Sequence, residues 1–228
     1  MLTKIKNLLK KKIKIKLKEI NYLRKKQYIP DILDHINIES TSVCNLKCKF
    51  CAYDKRDLEQ VPLQSMEMNL FKNITRQCLD LGYKNFGLTP VTGDIFMDKN
   101  IIEKLDYLET LDNLNGYYFY TNFIATKENK ILKLLDCKKL SHLGLSIYGH
   151  DEESFIRFSK GSQSSYRILI KNLNFLYNQL KESNYDFKIE LTQRTSKNFD
   201  LNNSKSELSI VLKRLILLKN VKYEYNNK

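Results

Sequence analysis

The chain has 228 residues, of which 42% are hydrophobic, so it can form one generous domain or two small ones around an ordinary core. It contains no recognisable signal peptide and no apolar run near the roughly 20 residues of a membrane span, which predicts a soluble, cytoplasmic protein. The five cysteines form an odd set with three of them in eight residues, which does not suit a paired disulfide framework and favours a reducing compartment.

The net charge of +13 is concentrated at the start of the chain. Residues 1–26 carry eleven Lys and Arg against one acid, Glu19, a balance of +10 that leaves +3 for the other 202 residues. Apolar residues recur here at helical spacing, which predicts a basic amphipathic helix over residues 3–26, with its apolar face formed by Leu2, Ile5, Leu9, Ile13, Ile20 and Leu23. Residues 12–18 also alternate as a strand does. Pro30 ends the segment, which divides the chain into a leader, residues 1–30, and a core domain, residues 31–228.

After Pro30, short β-like runs alternate with helical ones. The predicted strands are residues 36–40, 84–89, 116–121, 141–147, 187–192 and 221–225. The predicted helices are residues 66–81, 99–111, 127–136, 164–182 and 205–218. Helical crossovers imply an α/β fold with parallel strands, arranged as an open doubly wound sheet or as an incomplete barrel, and the pattern does not separate the two.

Small polar residues and glycines follow four of the predicted strands. They lie at residues 41–51, 90–94, 121–122 and 146–149. In both candidate architectures, ligands bind at the carboxyl ends of parallel strands. These segments are therefore expected to meet at one mouth.

The first of these segments carries three clustered thiols. Cys44, Cys48 and Cys51 lie close enough in sequence to wrap one small inorganic centre. A four-iron cluster normally takes four thiolates, and Cys78 and Cys137 fall inside predicted helices, so three ligands would leave one iron open to a reactant. The alternative is a zinc site that uses His35 or another distant residue as its fourth ligand.

The cysteine segment, Cys-Asn-Leu-Lys-Cys-Lys-Phe-Cys with the aromatic Phe50 before the last Cys, resembles the signature loop of the radical S-adenosylmethionine (SAM) superfamily. The resemblance extends over most of residues 36–225 and implies a partial (β/α)6 barrel, an incomplete TIM barrel. It also implies a [4Fe-4S] cluster held by the three cysteines, whose open iron binds SAM. One electron then cleaves SAM to methionine and a 5'-deoxyadenosyl radical. The chain is similar to the catalytic core of SPASM/Twitch-type members, and we expect it to lack their Cys-rich C-terminal domain and auxiliary clusters.

The resemblance also implies which residues contact SAM. Gly93 and Asp94 resemble the family's Gly-Gly-Glu-Pro segment, with Asp in place of Glu and Ile95 in place of Pro. Asn122 closes the third strand near the cofactor, whereas Ser146 and Arg157 resemble a pair that contacts the methionine carboxylate or ribose. Gln193 and Arg194, after the fifth strand, can face the substrate or adenine or else form the rim, and His142 and His150 have no assigned role.

The sequence thus predicts an enzyme that forms a deoxyadenosyl radical and abstracts hydrogen from an unidentified peptide, protein or carbohydrate-pathway substrate. The resemblance implies a reducing partner such as flavodoxin or ferredoxin. A tRNA-modifying radical enzyme and a non-catalytic iron-sulfur protein are the alternatives. Residues 1–26 are expected to dock on an anionic membrane face, with nucleic acid as the weaker expectation, or else to pack on the barrel.

Overall fold

The computed structural model describes residues 12–13, 15–20, 22–24, 30–60, 62–196 and 198–227. They divide into two compact units, one within residues 1–34 and one within residues 35–228. In the first unit, residues 12–13, 15–20 and 22–24 are helical, and the rest of the predicted leader helix lies outside the described residues. Among the described residues, no helix is long and apolar enough to cross a membrane.

The second unit alternates strands and helices. Its described strands are β1 (Ile36–Asn37), β2 (Asn85–Gly87), β3 (Gly116–Thr121), β4 (Leu140–Tyr148), β5 (Lys188–Thr195) and β6 (Val221–Asn227). Its described α-helices are α1 (Met68–Asp80), α2 (Ile101–Glu109), α3 (Glu128–Asp136), α4 (Glu152–Ser159), α5 (Gln163–Glu182) and α6 (Glu207–Ile216). Two 3-10 turns, Ala52–Lys55 and Ile95–Met97, follow the first two strands.

The six described strands form one parallel sheet in the order β1-β2-β3-β4-β5-β6. A doubly wound sheet would place later strands on both sides of the first, so this sequential order identifies a partial barrel. The predicted strands and helices of the second unit are all present, although β1 and β2 are shorter than predicted. Ile38 N–H still donates to Gly87 O of β2 at 2.8 Å. The chain that follows β1 then leaves the sheet, because residues 40–42 pair with residues 64–66, through Met66 N–H to Ser40 O at 2.7 Å and Ser42 N–H to Gln64 O at 2.8 Å.

Side chains alternate along the central strands, and the two faces of the sheet differ in polarity. The residues on one face are fully buried and apolar and pack beneath the helices: Tyr117, Phe119, Leu143, Leu145, Ile147, Ile189 and Leu191. Most of the intervening residues are half-buried, and many are polar: Tyr118, Tyr120, His142, Ser146, Tyr148, Glu190 and Arg194. The second set lines the concave side of the barrel, so the strands carry polar chemistry toward its interior.

Candidate active site

The cysteine loop, residues 44–51, follows β1 and is braced by side chains that come after it. The Tyr53 hydroxyl donates to Cys44 O and accepts from Cys44 N–H, both at 3.3 Å. Arg56 donates to Ser42 O and to Thr92 Oγ1 at 3.1 Å, which ties the start of the loop to the segment after β2. These contacts hold the loop over the carboxyl ends of the strands.

All three thiols of the loop line one cavity of about 510 Å³. The pKa of the Cys44 thiol is raised to about 11 and that of Cys48 to about 12, first by burial and then by negative charge on neighbouring groups, including the other thiols. Such thiols become thiolates only when a positively charged centre compensates them. Three soft sulfur donors around one cavity therefore fit an iron-sulfur cluster.

The remaining cysteines and the histidine considered for zinc lie elsewhere. Cys78 is in α1, and Cys137 follows α3, where its thiol donates to Lys133 O at 3.3 Å. His35 packs edge-on against Tyr118 with ring centroids 4.9 Å apart, and it is not among the residues that line the cavity. In the part of the chain that the structure describes, no group of three or more His, Cys, Asp and Glu is arranged to hold a single metal ion.

Asp94 lies at the centre of a buried hydrogen-bond network. Its carboxylate accepts from the Thr121 hydroxyl at 2.9 Å, from Asn122 N–H at 2.7 Å and from Phe96 N–H at 3.0 Å. Burial raises the pKa of this carboxyl, whereas the hydrogen bonds oppose that rise. The protein itself thus supplies several donors to this carboxylate, which joins the segment after β2 to the end of β3.

Asn122 continues this network toward the cysteines. Its side-chain amide donates to Asn45 Oδ1 at 2.8 Å and lies 4.0 Å from Cys44 Sγ. The amide oxygen accepts from Ile124 N–H at 3.0 Å, which fixes its orientation. Thr121, the last residue of β3, and Asn122 after it therefore link Asp94 to the cysteine loop.

Gly93 leaves no room for a side chain. A Cβ atom there would lie 2.8 Å from Thr41 O and 3.1 Å from Val43 O, both backbone atoms of the segment that leads into the cysteine loop. The next residue donates its backbone N–H to Val43 O at 2.9 Å. Glycine at this position thus permits close approach of two backbone segments at the cavity.

Nine residues were predicted to form the site, and eight of them line this one cavity: Cys44, Cys48, Phe50, Cys51, Gly93, Asp94, Asn122 and Ser146. Arg157 does not line it, because α4 presents this residue to solvent, with its guanidinium 5.1 Å from the centroid of the Phe158 ring. Arg194, for which the sequence predicts no specific role, lines the cavity and brings a positive charge to it.

Two aromatic residues of the cavity were not predicted. Tyr148, at the end of β4, packs against Phe50 with ring centroids 5.3 Å apart, and burial raises the pKa of its phenol. Tyr120 also lines the cavity, where a Cβ at Gly144 on the next strand would meet its ring at 2.1 Å. Side chains alternate along a strand, and this alternation, which places both residues on the concave side of β3 and β4, could have predicted them.

The remaining candidates lie away from the cavity lining. Gln193 is buried, donates to Gly149 O at 2.7 Å and accepts from the Tyr223 hydroxyl at 2.6 Å. His142 Nε2 lies 3.6 Å from Glu190 Oε2. His150 Nδ1 lies 2.7 Å from Thr195 Oγ1, and its ring stacks on Phe199.

The amino-acid sequence also matches a known protein family. Residues 38–186, about two thirds of the chain, match the model of the Radical SAM superfamily. The chain belongs to this superfamily. Radical SAM enzymes use a [4Fe-4S] cluster and SAM, and they require a reductant and a substrate. No curated protein sequence matches the chain.

Solved structures of radical SAM enzymes share the fold. SuiB of Streptococcus suis bound to the precursor peptide SuiA is 17% identical and superposes with a TM-score of 0.61 over 89% of this chain and 41% of SuiB. The enzyme anSMEcpe with bound SAM is 17% identical, with a TM-score of 0.57 over 83% of this chain and 50% of that one. Methylornithine synthase (PylB) is 16% identical, with a TM-score of 0.53 over 85% of this chain and 54% of its own. The chain thus spans about two fifths of the length of SuiB.

Proposed function

We propose that this protein reductively cleaves SAM and uses the resulting radical to abstract hydrogen from a bound substrate. When bound, the cluster and SAM supply one-electron cleavage of the sulfonium to methionine and a 5'-deoxyadenosyl radical. The observation that carries the proposal is the convergence of three thiols, Gly93 and Asn122 on one cavity at the carboxyl ends of the strands. Family membership supports this chemistry, and the convergence supports the proposal that these residues take part in it.

Within this proposal, the three thiols of the cysteine loop hold the cluster and leave one iron for SAM. Asp94 acts as a positioning residue, because its carboxylate already accepts from Phe96, Thr121 and Asn122. It holds the β3 end against the cysteine loop. Ser146 and Arg194 offer a hydroxyl and a cation to the carboxylate of the methionine moiety, since both face the cavity and Arg157 does not.

Three aromatic residues are proposed to shield the radical. Phe50 and Tyr148 pack together at the cavity, and Tyr120 lines it from the neighbouring strand. Their rings exclude water from the space where the radical forms, which protects it from side reactions. These residues shape the cavity without titrating at neutral pH.

We propose a peptide as the substrate class. SuiB and anSMEcpe, which share this fold, have both been solved with peptides bound. Half-buried residues of β4 and β5, among them Ser146, Tyr148 and Arg194, line the cavity. An extended peptide can reach a radical in this position through one side chain at a time.

The leader is proposed to attach the enzyme to an anionic membrane surface. Ile13, Leu17, Ile20 and Leu23 are among its described apolar residues, and their exposed fractions are 59%, 56%, 38% and 58%. An amphipathic helix with exposed apolar residues and many lysines suits the interface of an anionic bilayer, to which each cation contributes about 1 kcal/mol near the surface.

Anaerobic reconstitution tests the proposed function. The full chain is loaded with iron and sulfide, reduced with dithionite and incubated with SAM, and 5'-deoxyadenosine is then measured. We expect about four irons and four sulfides per chain and SAM-dependent formation of 5'-deoxyadenosine. A reduced cluster that leaves SAM intact would contradict the proposal and favour a non-catalytic iron-sulfur protein.

A further inference from the structure

The outer side of the cysteine loop carries a group of cations. Backbone hydrogen bonds join this loop to the end of α4, from Lys47 N–H to Ser159 O at 3.2 Å and from Lys49 N–H to Phe158 O at 3.1 Å. Residues 44–53 and 155–161 together contain four cations and no Asp or Glu. We call this surface the basic rim, formed by Lys47, Lys49, Arg157 and Lys160.

Buried and exposed residues alternate from Leu46 to Lys49, so Lys47 and Lys49 flank the proposed cluster ligand Cys48 on the solvent side of the loop. Leu46 and Cys48 are 2% and 7% exposed, whereas Lys47 and Lys49 are both exposed. Leu46 and Cys48 line the cavity and the two lysines do not, so Lys47 and Lys49 lie on the solvent side of the loop. Among the ion pairs in the described part of the chain, none involves either lysine. Two acids at the start of α4 lie near Arg157: Glu153 is one turn before it, and the charge of the helix-capping Asp151 interacts with it.

We propose that the basic rim docks an acidic one-electron carrier protein of the flavodoxin class. The inference rests on the proposed function, because the cluster must receive an electron before SAM is cleaved. SAM and substrate approach from the cavity, so a carrier on the outer side of the loop reaches the cluster without displacing them. The anionic flavin hydroquinone loses one electron and no proton, the cluster gains that electron, and no covalent bond changes.

Charge complementarity selects this partner. Lys47 and Lys49, which form no ion pair within the described part of the chain, favour an anionic surface, which speeds the encounter and fixes the orientation of docking. Nucleic acid would also satisfy the charges, but single strands bind by stacking bases on exposed aromatic rings. The rings next to the rim, Phe50 and Phe158, are half-buried, which favours a protein partner over RNA.

A charge-reversal experiment on the reconstituted full chain tests the proposal. Lys47→Glu/Lys49→Glu is compared with Lys181→Glu/Lys219→Glu, which changes net charge equally at exposed sites before β5 and β6, at the other end of the strands. Stopped flow follows cluster reduction by flavodoxin hydroquinone, and calorimetry measures flavodoxin binding. We expect the rim variant to lose at least about tenfold in the second-order rate, with added salt slowing the wild type and the control but hardly the rim variant.

Dithionite separates docking from catalysis, because it reduces the cluster without a protein surface. The rim variant should keep its iron content and its dithionite-driven yield of 5'-deoxyadenosine. The docking proposal is wrong if flavodoxin reduces the cluster of the rim variant as fast as that of the wild type, or if the control variant loses as much rate. It is also wrong if the rim variant loses tRNA binding but still binds flavodoxin. If charge reversal removes iron, Lys47→Gln/Lys49→Gln is measured instead, and flavodoxin binding as strong as in wild type refutes docking. If the wild type forms no 5'-deoxyadenosine with dithionite, the proposed function fails, while flavodoxin binding still tests the rim.

Discussion

Replacing Asp94 by Ala removes an acceptor that three donors share, and the structure sets the size of the effect. The backbone N–H groups of Phe96 and Asn122 lose their acceptor, as does the Thr121 hydroxyl. The hydroxyl can turn, but the two backbone groups are fixed, and each buried unpaired donor costs about 1–3 kcal/mol. Removal of a buried charge offsets part of this loss, so we expect Asp94→Ala to lower the free energy of unfolding by about 2–4 kcal/mol.

Asp94→Asn separates the acceptors from the charge. An amide keeps one acceptor oxygen and turns its NH2 group toward one of the two backbone donors, whichever way it is oriented. About one donor is then unsatisfied, so the loss should be about 1–3 kcal/mol and smaller than that of the Ala variant. The exposed Asp57, which accepts from Glu59 N–H and Gln60 N–H in a turn, supplies the control. Asp57→Ala should change stability by less than about 0.5 kcal/mol.

Anaerobic urea unfolding, followed by circular dichroism on the iron-loaded chains, measures these differences. Iron analysis and SAM binding on the same samples show whether the cysteine loop stays in place when Asn122 loses its support. Asp94→Ala as stable as Asp57→Ala, or Asp94→Asn less stable than Asp94→Ala, would show that the carboxylate does not hold these donors.

The pH dependence of Asp94 has a defined sign. Burial raises the folded-state pKa of this carboxyl above its ordinary value of 3.8, so the folded chain holds the proton more tightly than the unfolded chain does. This group therefore lowers stability as pH rises from about 4 through its folded-state pKa. The stability of wild type relative to Asp94→Asn should fall over that interval, and a constant or rising difference would contradict the raised pKa.

The remaining predictions concern the loop, the barrel and the leader. Ala at any of the three loop cysteines should abolish the cluster, measured as iron and sulfide, whereas Cys78→Ala should retain it. Gly93→Ala should cost about 1–3 kcal/mol in unfolding free energy and reduce iron content, because its Cβ would press on backbone carbonyls. Lys104→Ala should cost about 3–5 kcal/mol, since it leaves the buried Asp98 without its partner at 2.5 Å. A chain that begins near Pro30 should lose salt-sensitive flotation with anionic vesicles and keep its cluster, and a full-length chain that ignores such vesicles would refute membrane attachment.

The strands and helices of the second unit could be predicted because their periodicities are local. Strand order could not, since β1 through β6 would give the same pattern in a doubly wound sheet. The short helix α4 was also missed as an element of its own. It has eight residues and is defined by its ends, with a capping box at Asp151 and a left-handed Lys160 at φ 54°, rather than by a long apolar stripe.

The site could be predicted where a motif fixes several residues within one loop, and less well where a single residue acts at a distance. The spacing of the cysteines was enough to predict the loop and the position of Phe50 within it. Arg157 and Arg194 are single cations after different strands, and the facing direction of each depends on helix rotation and strand parity. The burial of Lys104 leaves no sequence signal either, because a lysine in a helix is normally solvated and its partner Asp98 lies in a loop.

Strand parity explains why residues far apart in sequence share one cavity. Tyr120, Ser146, Tyr148 and Arg194 occupy concave-facing positions in three successive strands, and the registers pair Tyr148 with Arg194 and Tyr120 with Gly144. A one-residue slip of any strand would turn its polar residues into the helix layer and its apolar residues into the cavity. The same alternation that buries the core thus assembles the site, so apolar positions such as Leu145 and Ile147 place Ser146 and Tyr148 as firmly as any direct contact does.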